Sequence, residues 1–150
     1  MGKYFEEFAV GDRYKTRART VTETDVVNYA GLSGDYNPLH TDAVFGESTV
    51  FGERVAHGML GACIGIGLWT MLGLMEGTAM ALLESNWRFV GPVRFGDTIH
   101  TEITVLETKP VSRPDRGILR VGLDVVNQRG ETTHRGELVL MVRRRMAAEG

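Results

Sequence analysis

The chain has 150 residues, of which 43% are hydrophobic and 24% charged, a composition that is typical of one globular domain and excludes a largely disordered protein. Its formal net charge of −2 excludes the broad basic surface that nucleic-acid binding requires. A single cysteine excludes an intrachain disulfide, and we expect Cys63 to be a packed thiol in a reducing compartment.

Two segments bear on where the protein works. Met1–Val10 carries Glu6 and Glu7 and has no apolar core, so we predict no signal peptide and a cytoplasmic location. Residues 58–75 form an uncharged run of 18 residues, which reaches the lower length limit of a membrane span. Because five of them are glycines and charged residues follow closely on both sides, we expect a buried helix and no membrane association.

The first predicted elements are a strand and a short helix. A strand is predicted over Arg13–Val21. Thr22 then begins a helix, since its hydroxyl can accept from free backbone N–H groups and Asp25 favours the positive helix end. Gly31 and Gly34 are expected to end this helix.

A long loop and a long helix follow. Residues 35–56 have no clean hydrophobic period, so we expect an ordered loop with at most a turn of helix. Loops of this length in compact domains are usually functional. A buried helix is predicted over residues 58–74, where Leu68, Met71 and Met75 lie at helical spacing and indicate core or pocket wall.

The second half of the chain alternates apolar and polar residues, which is typical of half-buried strands. The first strand is predicted over residues 79–90, and residues 110–117 form a polar loop. The apolar positions of the remaining three strands are Ile99, Thr101, Ile103 and Val105, then Leu119, Val121, Leu123 and Val125, then Leu138, Leu140 and Val142. Arg143, Arg144 and Arg145 are expected to be a solvated strand end.

These strands need a cover for their apolar face, and the long helix is the one large apolar element available. We therefore predict an α+β fold in which an antiparallel sheet curls around a buried central helix. Residues 1–150 are expected to form one domain.

Residues 31–42 concentrate the chemistry-bearing side chains. Asp35, Asn37 and His40 lie within six residues of one another, around the stiff Pro38. Acid–base groups work only when they are held within hydrogen-bond reach of a proton, so rigidity here favours catalysis. Gly-Asp and Asn-Pro are also ordinary turn sequences, and the residues alone leave both interpretations open.

This segment resembles the signature of the MaoC-like (R)-specific enoyl-CoA hydratases, the hydratase 2 family. That pattern places a small residue and a Gly or acid before Asp-x-Asn-Pro-Leu-His-x-Asp, and Ser33-Gly34 followed by residues 35–42 fit it. A second family landmark, His-Gly-Met at the start of the central helix, is present as His57-Gly58-Met59. The similarity extends over nearly the whole chain, including Phe89-x-Gly-Pro-Val93.

The resemblance implies a hot-dog fold and hydration of a (2E)-enoyl thioester to the (3R)-hydroxyacyl thioester, or the reverse. Asp35 and His40 would hold the attacking water and return a proton to Cα, and Asn37 would orient them or the water. The N–H of Gly58 would bond the thioester oxygen, since a helix N-terminus presents free donors. No cofactor is implied beyond coenzyme A or acyl carrier protein as the thioester carrier.

The remaining histidines are expected to have structural roles. His57 is expected to cap or pack, and His100 and His134 to lie on the strand surface. Some relatives carry a pocket serine deeper in the helix, where this chain has Ile66. Coenzyme A phosphates would need a basic partner, for which the candidates are Arg88, Arg94 and Lys109. A metal site of His40, Asp42 and His57 is disfavoured, because no known ligand spacing is present.

Three further functions remain as alternatives. A hot-dog thioesterase would direct water at the carbonyl carbon, a non-catalytic acyl-thioester-binding or regulatory subunit would lack the dyad, and a purely structural partner would leave the polar loop unexplained. Because a single hot-dog unit leaves its sheet edge uncovered, we predict a homodimer or higher homo-oligomer.

Overall fold

The computed structural model describes residues 1–145 and contains one antiparallel sheet with four helices. The helices are α1 Glu23–Ser33, α2 Pro38–Thr41, α3 Ala43–Glu47 and α4 Gly58–Thr70. The strands are β1 Arg13–Lys15, β2 Arg19–Thr20, β3 Ala79–Phe89, β4 Thr98–Pro110, β5 Arg116–Val126 and β6 Thr132–Arg143, and Phe5–Glu7 forms a 3₁₀ turn. Within residues 1–145, no helix is long and apolar enough to cross a membrane.

The sheet has the order β1-β4-β5-β6-β3, and β2 also pairs with β4. The predicted alternation on β4, β5 and β6 is confirmed: Ile99, Leu119 and Val142 are all fully buried. Across strands, Ile103 lies opposite Leu123 in the β4–β5 register. One face of the sheet is therefore mostly apolar, with the buried Thr101 among its side chains.

The strand predicted over 13–21 is interrupted, and a buried threonine explains the gap. The Thr16 N–H donates to the Thr101 carbonyl over 3.0 Å, while the Thr16 hydroxyl accepts from the Thr101 N–H over 2.9 Å. The same hydroxyl donates to the Arg17 carbonyl. This side chain supplies a bond that a regular strand would take from backbone, so β1 and β2 are separate.

Helix α4 crosses the apolar face and packs on β4, β5 and β6. Its glycines permit this close approach: a Cβ on Gly65 would lie 2.7 Å from Val125, and the Thr101 hydroxyl donates to the Gly65 carbonyl over 3.0 Å. A sheet wrapped around a central helix is the hot-dog arrangement, so the predicted α+β fold is confirmed.

The long helix differs from its prediction at one end and on one face. It ends at Thr70, and the turns that follow use Gly73 and Gly77 at positive φ. Met71, expected in the core or the pocket wall, is 61% exposed in these turns and is not part of the cavity wall described below. Cys63, expected to be packed, is exposed, because it lies one turn after the 48% exposed Met59 on the helix face opposite the sheet.

The beginning and end of α1 are set by local chemistry. The Thr22 hydroxyl accepts from the Asp25 N–H, and the Asp25 carboxylate accepts from the Thr22 N–H, which confirms the predicted capping box. Gly34 ends the helix at φ 76°, whereas Gly31 lies inside it. Because only a residue that tolerates left-handed backbone suits this end, Gly34 directs the chain sharply towards Asp35.

Candidate active site

Three segments converge at one end of α4. Asp35 follows the end of α1, His40 lies on α2, and His57 immediately precedes α4. A carboxylate oxygen of Asp35 and one ring nitrogen of each histidine all lie within 4.8 Å of one another. His40 and His57 lie 5 and 22 positions after Asp35 in the sequence, and the fold brings the three side chains into one cluster.

Asn37 lies between Asp35 and His40 and contacts both of their segments. Its backbone N–H donates to the Asp35 carboxylate over 3.2 Å. Its side-chain oxygen accepts from the Leu39 N–H over 3.0 Å and caps α2, the helix that carries His40. The structure therefore gives Asn37 a backbone contact with the carboxylate and a capping role, while the expected contact of its side chain with water stays a prediction.

The hydrogen bond of the His40 ring determines which nitrogen carries the proton when the ring is neutral. Nδ1 lies 2.7 Å from the Val55 carbonyl oxygen, and a carbonyl can only accept. Nδ1 of the neutral ring therefore carries the proton, and Nε2 keeps its lone pair. His40 is half-buried and Asp35 is exposed, so these groups form the accessible part of the cluster.

His57 forms the buried part of the cluster. The side chain is 2% exposed, and its Nε2 donates to the Asp35 carbonyl over 2.9 Å. Its ring packs between Tyr29, at a centroid distance of 4.8 Å, and His40, at 3.9 Å. It makes no side-chain cap bond to α4, so of the two expected roles the structure shows packing. Its Nδ1 is buried without a hydrogen-bond partner.

Gly58 is the first residue of α4. The first N–H groups of a helix have no intrahelical acceptor and carry partial positive charge, which makes this end suited to an anionic oxygen. A Cβ on Gly58 would lie 2.8 Å from the Phe89 ring, so a larger residue here would displace that ring. A cavity of about 570 Å³ opens here, with Asp35, His40, His57 and Gly58 in its wall beside apolar side chains from Tyr29, Phe51, Met59 and Phe89.

His134 also lines this cavity, and its predicted surface position is wrong. It is 1% exposed, and its Nε2 lies 2.8 Å from the Gly58 carbonyl oxygen. The alternation on β6 would have predicted this burial, because His134 lies an even number of residues from the buried Leu138 and Val142 and therefore on the same face of the strand. Gly61 on α4 makes room for the ring: a Cβ there would lie 2.6 Å from His134 Nε2.

The fold does not bring His40, Asp42 and His57 together as a possible metal site, because Asp42 is engaged elsewhere. The Asp42 carboxylate caps α3 by accepting from the Phe45 N–H over 3.0 Å, and Asp35 occupies the third place beside His40 and His57. Ligand atoms around tetrahedral zinc lie about 3.3 Å apart, given bonds of about 2.0–2.1 Å. The spread of up to 4.8 Å and the stacked rings are looser than such a centre.

The candidate phosphate-binding residues differ in their distance from the cavity. Arg94 pairs with Glu53 and donates to the carbonyl of Phe51, a residue of the cavity wall. Arg88 lines a different groove of the sheet, and Lys109 lies exposed near the end of β4. Ile66 packs against the core cluster that contains Trp69 and Ile103.

The sequence matches the family described as MaoC like domain over residues 6–127. It is 43% identical to protein MaoC of Klebsiella aerogenes over 68% of this chain, although the match spans only 30% of that longer protein. It is 38% identical to an (R)-specific enoyl-CoA hydratase of Rhodospirillum rubrum over 71% of this chain and 72% of the relative.

A solved structure is similar over nearly the full length. The chain superposes on a protein described as a monoamine oxidase regulatory protein from Archaeoglobus fulgius with a TM-score of 0.91 and 33% identity, covering 97% of both chains. The family match over residues 6–127 includes the segments that carry Asp35, His40 and Gly58. The chain belongs to the MaoC-like domain family.

Proposed function

We propose that this protein is an (R)-specific enoyl thioester hydratase, which adds water to a (2E)-enoyl thioester and catalyses the reverse dehydration. The observation that carries the proposal is the placing of the Asp35 carboxylate and a His40 ring nitrogen within 4.8 Å of each other, in the same cavity as the N-terminus of α4. The similarity to an (R)-specific enoyl-CoA hydratase supports the same reaction.

In the proposed reaction, the Asp35 carboxylate and the His40 Nε2 lone pair accept hydrogen bonds from one water molecule. The water oxygen forms a bond to Cβ of the enoyl group as one of its O–H bonds breaks, and the proton passes to the dyad. The π electrons move towards the thioester carbonyl and give an enolate, and the dyad then returns a proton to Cα. No metal or cofactor takes part in these steps.

The reaction also requires a group that stabilises the negative charge that develops on the thioester oxygen. In our proposal the Gly58 N–H, at the start of α4, donates to this oxygen. Fixed donors of this kind stabilise the transition state more than the ground state, because the charge on the oxygen grows during the reaction. Phe89, packed against Gly58, is expected to shield this end of the helix from water.

The deciding experiment follows purified protein with a panel of enoyl-CoAs of graded chain length. We expect loss of enoyl absorbance without release of free thiol, and chiral chromatography is expected to show the (3R)-hydroxyacyl product. Release of free thiol would indicate a thioesterase instead, and no turnover with any coenzyme A or acyl carrier protein substrate would indicate a non-catalytic subunit. A 3S product would contradict the proposed stereochemistry.

A further inference from the structure

His134 is a buried titratable group that the proposed reaction does not use. It lies on β6, where the side chain is 1% exposed, and it reaches across the space between the sheet and the first turn of α4. Buried polar side chains are costly unless they are hydrogen-bonded, so the partners of this ring indicate its role.

Both ring nitrogens of His134 have partners. Nε2 lies 2.8 Å from the Gly58 carbonyl oxygen, which can only accept, so Nε2 is the donor. Nδ1 lies 2.9 Å from the Thr133 hydroxyl oxygen, which also lies 3.2 Å from the Val125 carbonyl oxygen. The single hydroxyl proton is shared between these two acceptors when the ring is neutral. Burial also lowers the pKa of His134 below its usual value, consistent with a neutral ring whose tautomer is fixed by its surroundings.

Packing holds the ring in this orientation. The Phe89 ring meets it edge-on at 5.2 Å and 88°, and the Trp87 ring meets it at 6.4 Å and 78°. On the helix side, the missing side chain of Gly61 leaves the space that the imidazole fills. Because these contacts surround the ring, the Nε2–Gly58 bond is a fixed link between β6 and α4.

We propose that His134 is a positioning residue that fixes the first turn of α4, and with it the backbone donors that face the thioester oxygen. This inference depends on the proposed function, because the donors matter only if an oxyanion forms there. The Gly58 carbonyl belongs to the same peptide group as the Met59 N–H, so the bond from His134 also polarises a second free donor of the helix.

The test compares two substitutions of similar size. His134→Gln keeps an N–H donor near the position of Nε2, whereas His134→Met has none. We expect His134→Met to lower kcat about tenfold, less than the ~10²–10³-fold cost of losing an oxyanion donor itself, with KM within about threefold. His134→Gln should stay within about threefold of the unsubstituted protein in kcat. His100→Met is the matched control, because His100 is also on a strand but bonds Glu102 outside the cavity wall.

Equal kcat values for His134→Gln and His134→Met, after correction for the folded fraction, would overturn the proposal. NMR of the unsubstituted protein supplies a readout without activity: we expect ¹⁵N signals of a protonated Nε2 and an unprotonated Nδ1 for His134, and an unprotonated Nε2 would overturn the proposal by itself.

If the unsubstituted protein hydrates no enoyl thioester, the proposed function fails. The Met59 amide shift then tests the link alone, since it should move in His134→Met and stay in His134→Gln.

Discussion

The imidazole rings of His40 and His57 stack with their centroids 3.9 Å apart and their planes 29° from parallel. Each ring donates to a backbone carbonyl, His40 to Val55 and His57 to Asp35. The pair therefore consists of an accessible ring with a free Nε2 lone pair and a buried ring that holds it in place. This difference leads to separate predictions for the two histidines.

His40→Gln should lower turnover of an enoyl thioester by about 10²–10⁴-fold, the usual contribution of a positioned acid–base group. The Asp35→Asn/His40→Gln double variant should lose far less than the product of the two single losses, because both residues act on one water. Steady-state kinetics of the three variants test this. Multiplicative losses would contradict a shared step.

His57→Gln should affect stability more than chemistry. The change removes a ring that is 2% exposed, so we expect the free energy of unfolding to fall by about 0.5–3 kcal/mol. The new amide can still donate to the Asp35 carbonyl, and kcat should stay within about tenfold. Urea denaturation and kinetics measure the two effects, and a kcat loss as large as that of Asp35→Asn would give His57 a direct chemical role.

The exposed side of β3 leads to a prediction about assembly. This strand is at one end of the sheet order, and Leu82 and Leu83 are 54% and 47% exposed. Edge strands of this kind pair readily with another chain, so we expect at least a dimer at micromolar concentration by light scattering. Replacing both leucines with lysine should lower the mass, whereas Val50→Lys, at a 96% exposed position, should not. A monomeric mass for the unsubstituted protein would contradict this prediction.

Stability should depend on pH through His134. Burial lowers its pKa in the folded protein below the ordinary value of 6.5, so the unfolded chain takes up a proton first as the pH falls. The stability contributed by the neutral ring is therefore complete above about pH 6.5 and declines as the pH falls from there towards the lowered folded pKa. Urea denaturation between pH 7.5 and 5 should show a steeper decline for the unsubstituted protein than for His134→Gln; identical slopes would contradict it.

Local patterns predicted much of this fold because their chemistry is local. The Thr22 capping box and the alternation on β4 to β6 involve neighbours along the chain, and both are confirmed. The exposure of Cys63 depends on which face of α4 meets the sheet, and the contact of His134 with the Gly58 carbonyl depends on the space beside Gly61. Such relations exist only after distant segments pack, so composition and spacing did not show them.

In the candidate site, too, some features could be predicted from the sequence and others could not. The resemblance to the MaoC-like hydratases implied that Asp35, His40 and Gly58 belong together, and the fold places all three in one cavity wall. The tautomer of His40 was not predictable, since its partner is the carbonyl of Val55, 15 residues away. Their catalytic roles stay predictions until they are measured.

The most direct test of the proposed function is the turnover of an enoyl-CoA by Asp35→Asn. This change keeps the size of the side chain and removes the charge that would hold the water. Asp35 is exposed, so the thermal melting curve should barely change. We predict a kcat about 10²–10⁴-fold below that of the unsubstituted protein. Near-normal turnover by a folded Asp35→Asn variant would contradict the account.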